Sequence, residues 1–197
     1  MRKPLIAVWL VLPLAAWTYH MGPGQDRVKL DQVDAYLAKA KEAIVAQDWD
    51  MAIDDYGDAL KVLPSERINA GRRIRLALNQ ARMMHKQLPA AQRALAELVR
   101  EMAKDPDAEP SVLADARRAH ASAQYYVTWL MRLEGYPREQ WEPELEVARQ
   151  TYRLLAERAD QHGDKTAGHE RRMDLEATIR LARLDLQELQ GLPLPNQ

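Results

Sequence analysis

The stretch VDAYLAKAKEAIVAQDWDMAIDDYGDALKVLP, Val33 to Pro64, decides the fold. Small and apolar residues recur three and four apart on either side of a polar break, the period of helices that pack along one face. The reading is a helical hairpin: a first helix, a tight turn at Gln47 to Trp49, then a second helix over Met51 to Leu60 that closes on Leu63-Pro64.

Within it, Tyr36 and Ala40 lie on the first helix, Asp48-Trp49 at the turn, and Ala52, Ile53, Tyr56, Ala59, Leu60 and Pro64 on and after the second. With these residues the hairpin resembles a tetratricopeptide repeat. Gln47 replaces the usual turn glycine, and Lys39 and Ala43 stand where a leucine and an aromatic are more usual. The resemblance implies antiparallel helix pairs of about 34 residues, stacked into a curved array. Such a fold implies a way of binding and leaves open what is bound.

Upstream, Met1-Arg2-Lys3 is a short basic stretch, and Pro4 to Trp17 (PLIAVWLVLPLAAW) carries no charge. That is the pattern of an export signal, and it places everything after Tyr19 on the exoplasmic side. Small-x-small cleavage pairs are poor at Leu14 and Ala16 and marginal at Ala16 and Thr18. Residues 1–21 therefore read as a signal anchor held in the membrane through residues 4–19. The alternative is a cleaved signal and a secreted or periplasmic product. As a helix the segment rises about 24 Å, short of a hydrocarbon core near 30 Å, with Trp17 and Tyr19 suited to the outer interface. No cysteine occurs in the chain, which excludes lipidation of an N-terminal cysteine, disulfides, a thiol nucleophile and covalent haem attachment.

The 197 residues comprise 47% hydrophobic and 29% charged side chains, enough to bury a core and too apolar for a disordered chain. A formal net charge of -1 gives no reason to expect nucleic acid as a partner. The organisation is a linker over 22–28, one helical domain over 29–190 and a Pro-rich tail over 191–197. Periodicity is helical throughout, so the expected fold class is all-α: antiparallel hairpins stacked as a short array of about seven helices.

Punctuation sets the expected boundaries. Ser65 caps a third helix to about Lys86, Leu88-Pro89 starts a fourth to Lys104, and Pro110 opens a fifth to about Glu134. Pro143 would remove a hydrogen bond inside any helix begun at Pro137, so the sixth is expected from Glu142. Gly163 and Asp164 separate it from a seventh that runs to Gln190.

Three constellations are candidates for function. Arg72, Arg75, Asn79, Arg82 and Lys86 share a stripe of the third helix, suited to an anionic partner because guanidinium forks bind carboxylate through two hydrogen bonds. The plainer reading is a solvated face opposite Asp50, Asp54 and Asp58. The seventh helix is apolar on two sides: Leu175, Ile179, Ala182, Leu186 and Leu189 on one, Met173, Ala177, Leu181 and Leu184 on the other. The second side, Met173, Leu181 and Leu184 above all, requires cover from the rest of the fold, from the tail or from another chain, a homodimer included. Tyr125, Tyr126, Trp129, Tyr136 and Trp141, beside Ala116, Ala119 and Ala123, read as core packing, with a peptide groove as the alternative.

Catalysis has little support. His20, His85, His120, His162 and His169 show no metal-ligand spacing, and phosphate loops and serine nucleophile elbows are absent, so neither a cofactor nor a metal is expected. Glu139, Glu142, Glu144 and Glu146 suit a helix start. The expected function is that of an exported, membrane-tethered scaffold that binds a protein or peptide without catalysis. A structural subunit of an envelope complex, assembled through the last helix and tail, is the alternative, and an envelope hydrolase a remote one.

Overall fold

A computed structural model describes residues 23–190, which form eight helices and no strand. They are α1 (Pro23–Val45), α2 (Trp49–Val62), α3 (Ile68–Met84), α4 (Leu88–Lys104), α5 (Pro110–Leu133), α6 (Arg138–Gln161), α7 (Lys165–Arg183) and α8 (Leu186–Gln190). The fold class is all-α, as periodicity predicts. The export segment of residues 1–21 and the tail of 191–197 lie outside the described residues. No helix among the described residues is long and apolar enough to cross a membrane. The chain divides into two compact units, one ending at Ile74 and the other beginning at Arg75, inside α3.

In the first unit α1 packs against α2. Helix α1 is described from Pro23, so residues 23–28, expected to be linker, are helical. Ala40, Ala43, Ala52 and Ala59 are buried, and small side chains there allow the close approach that Val33 and Tyr56 then fill. Asp48 caps α2, its Oδ1 accepting the Met51 N–H at 3.0 Å. Ser65 caps nothing: it sits exposed in a turn in which the Arg67 N–H donates to Pro64 O at 3.0 Å. Helix α3 begins only after that turn, at Ile68.

The second unit is arranged around α5. Its Ala116, Ala119 and Ala123 join Leu95, Leu98 and Met102 of α4 and Leu76 and Met83 of α3 in one cluster. Ala121 meets Ala148 and Tyr152 of α6. Trp129 packs with Trp141 and Leu145 of α6, Leu181 of α7 and Leu189 of α8. The aromatic group is thus core at Trp129 and Trp141, half-buried at Tyr125 and Tyr126, and exposed at Tyr136.

Two boundaries differ from expectation here. Helix α6 starts at Arg138 and runs through Pro143. The hydrogen bond that Pro143 forfeits would end on the carbonyl of Glu139, an exposed residue whose oxygen water can serve. The last helix is not continuous to Gln190. It stops at Arg183, and α8 restarts behind a reciprocal cap in which the Glu188 N–H donates to Asp185 Oδ1 at 2.7 Å and the Asp185 N–H to Glu188 Oε2 at 2.9 Å.

Four helices end in one manner. A left-handed residue follows α1, α3, α5 and α6: Gln47 and Lys86, each at φ 57°, Gly135 at 79° and Gly163 at 72°. The next N–H in each case reaches back five residues, as from Asp48 to Ala43 O at 2.8 Å and from Asp164 to Ala159 O at 2.9 Å. Glycine takes this conformation without the clash that a β-carbon brings. Gln47→Gly and Lys86→Gly are each expected to stabilise the protein by about 0.5–1 kcal/mol, net of the added freedom of the unfolded chain. Urea unfolding checks this; a lowered midpoint in both variants would contradict the left-handed assignment.

Candidate functional site

The basic stripe of α3 is largely occupied by its own neighbours. Arg72, in the first unit, is buried and its Nη1 donates to Asn69 Oδ1 at 3.0 Å. In the second unit Arg75 pairs with Glu101 of α4 at 2.6 Å. Asn79 is buried, donating to Arg75 O at 2.7 Å and accepting from Arg82 Nη1 at 3.2 Å. Lys86 is exposed in the turn. Within the second unit Arg75, Asn79 and Arg82 hold one another, Arg75 also holds α4, and Lys86 is the most open cation of the set.

The apolar residues of α7 divide differently. Leu181 is 1% exposed, within the tryptophan cluster, and Leu184 packs against the same cluster. Met173 is 58% exposed. Of the opposite stripe, Leu175 packs on the α5–α6 seam and Leu189 is buried, whereas Leu186 stays exposed. Both sides of α7 are therefore covered in large part by α5, α6 and α8.

What fastens this end is Arg132 of α5. Its guanidinium donates to the carbonyl oxygens of Leu181 and Leu184 and lies 4.7 Å from the centre of the Trp141 ring. The last carbonyls of a helix have no partner within it and carry its negative dipole, so the half-buried Arg132 cation is well matched to them. Burial, then the charge of Arg138, lower the Arg132 pKa, with Asp185 acting in the opposite sense. Neither Arg132 nor the restart of the chain was singled out from sequence. The Asp-x-x-Glu spacing at 185–188 is a recognisable helix-start signal for the latter.

Beside this clamp an open cleft of about 490 Å³ is lined by Glu176, Ile179, Arg180, Arg183, Leu184 and Glu188. Ile179 and Leu184 are half-buried and the four charged residues exposed, so the cleft has an apolar floor between charges of both signs. Leu184 is the member of the expected partner face that lines it.

Two polar groups cross the interior of the second unit. Glu144 of α6 accepts from Gln92 of α4 at 3.0 Å and from the buried Gln124 of α5 at 2.9 Å. His120 lies near this carboxylate; burial lowers its pKa, with Glu144 pulling the other way. On another side of α5, burial raises the phenol of Tyr152 and the carboxyl of Asp174, the latter opposed by Arg171 at 3.3 Å. Among the described residues no group of three or more His, Cys, Asp or Glu is placed to hold a metal.

His120 gives the site a pH dependence with a definite sign. The unfolded chain takes up this proton near pH 6.5, whereas the folded protein resists it until lower pH. In that window the unfolded state binds more protons, so this residue makes stability fall as the pH drops below about 6.5. His120→Gln should flatten that part of the stability profile measured by urea unfolding between pH 7 and 5; an unchanged slope would contradict the burial argument. Comparison with known proteins finds no matching family model, no matching curated protein and no matching solved structure.

Proposed function

We propose that this chain is a non-catalytic, tetratricopeptide-like helical scaffold, exported and tethered through its N-terminal segment, that binds an extended segment of another protein in the α7–α8 cleft. The observation that carries the reading is the cleft itself: open to solvent, with Ile179 and Leu184 half-buried and Arg180, Arg183, Glu176 and Glu188 exposed around them. An apolar floor with a polar, ion-bearing border is the composition of a protein interface, and an open trough admits a chain more readily than it encloses a small substrate. The basic stripe of α3 contributes less to this reading, since its arginines are engaged within the fold.

A structural subunit that assembles with an envelope complex through the same end is the second reading. It is favoured by the exposure of Met173 and Leu186, 58% and 44%, on the last two helices. Both readings place the partner at the C-terminal helices.

Photo-crosslinking residues introduced at Ile179 and Arg183 in intact cells are expected to yield a discrete adduct with one partner. The same residue at Thr151 or Arg153, on a different helix, should not. Equal adducts from all four positions, or none from the cleft, would overturn the assignment.

A further inference from the structure

We propose that the turn end of the first hairpin, where α1 leads into α2, docks a basic polypeptide segment: an arginine or lysine side chain flanked by apolar residues. The site lies within the first unit, is separate from the α7–α8 cleft and does not depend on the scaffold reading. An open cleft of about 480 Å³ is lined there by the carboxylates of Glu42, Asp48 and Asp55, by Lys39, and by Ala46 and Met51. Glu42, Asp48, Lys39 and Ala46 are exposed, Met51 is 55% exposed and Asp55 is half-buried, so a ligand reaches these side chains from solvent.

Charge complementarity names the occupant. Three carboxylates share the cleft with one ammonium, and that ammonium lies over the Tyr36 ring, 5.7 Å from its centre. Glu42 and Asp55 take part in no ion pair among the described residues, whereas Asp58, further along α2, is matched with Lys61 at 2.7 Å. The backbone adds to the same field. A helix is negative at its C-terminal end, and α1 has no basic residue in its last turn, while α2 to α7 each have at least one. The positive start of α2 is already met by the Asp48 cap and by Asp50. At the end of α7 Arg132 answers such a field; the cleft at the end of α1 contains no arginine. Among the described residues no three acids converge to hold a metal ion, which favours a charge carried on a long stem. A lysine or arginine side chain has that form, with methylenes to lie along Ala46 and Met51 and a head that donates to carboxylates. Met51, flexible and polarizable, suits the apolar residue beside the cation.

The test is fluorescence anisotropy of three labelled, end-capped peptides of equal length with the full chain: alternating leucine and arginine, leucine and glutamate, and serine and arginine. The leucine–arginine peptide is expected to bind saturably and the other two at least about tenfold more weakly, through loss of charge attraction or of apolar contact. Glu42→Lys reverses an exposed charge of the cleft and should weaken that peptide at least about tenfold. Its urea midpoint should be equal to the wild type's or higher, because a lysine is favoured in the last turn of a helix. Asp55→Asn should weaken binding in the same direction. Asp34→Asn removes a carboxylate of α1 outside the cleft and should leave binding unchanged. Equal binding by wild type and Glu42→Lys, an equal loss in Asp34→Asn, or a serine–arginine peptide bound as tightly as the leucine–arginine one would overturn the proposal. Two other occupants would also overturn it: a small polyamine, seen as displacement of the peptide by spermidine at equal concentration, and a second copy of the chain, seen in sedimentation as a dimer that Glu42→Lys dissociates.

Discussion

The C-terminal half of the molecule depends on how the last carbonyls of α7 are satisfied. A helix end presents oxygens that its own backbone cannot serve, and burying them without partners is costly. Here the partner is a single side chain from another helix, Arg132 of α5, which serves Leu181 and Leu184 together and stacks on Trp141. Because both acceptors bracket the point where α7 ends, the clamp fixes the stop as well as the docking. Leu181 and Leu189 then enter the tryptophan cluster from either side of the break, and the cleft beside Leu184 is a product of the change in chain direction.

That clamp acts on a helix already crowded on several faces. α5 meets α4 through Ala116, Ala119 and Ala123, α6 through Ala121, and α8 near Trp129. Helices approach this closely only where side chains are small. A helix surrounded in this way also draws polar side chains inward, and Gln124 and Thr128 are buried one turn apart on it. Gln124 is tied by its amide to Glu144, which links α4, α5 and α6 through one carboxylate. Such a shared acceptor specifies register more than it adds stability, since a charge withdrawn from water regains its hydration only through well-formed hydrogen bonds.

Much of the architecture is legible from local chemistry. Helical periodicity, Asp164 as a cap, Gly163 as a left-handed stop and Pro110 in a first turn each act within a few residues, and each is found in place. What depends on neighbours distant in sequence is less readable. The stripe of Arg72, Arg75, Asn79, Arg82 and Lys86 is visible as a pattern, but its engagement rests in part on Glu101, one helix away. Pro143 reads as a barrier because the local rule counts a lost hydrogen bond, and the exposure of the orphaned carbonyl's residue is decided by packing. The break before α8 was missed for a different reason: apolar periodicity continues across it, and only the Asp185–Glu188 pair marks the restart. Arg132 carries no sequence signal of its role, since a lone arginine near a helix end ordinarily serves its own carbonyls.

The most direct test of this account is amide hydrogen exchange on the full chain with Arg132→Met, which keeps the length of the side chain and removes the donors. If Arg132 fastens the terminal helices, amides of the last turn of α7 and of α8 will lose protection while those in the middle of α5 and α6 keep theirs. Protection of residues 181–190 equal to that of the wild type would contradict it, and the cleft would then need another source of order.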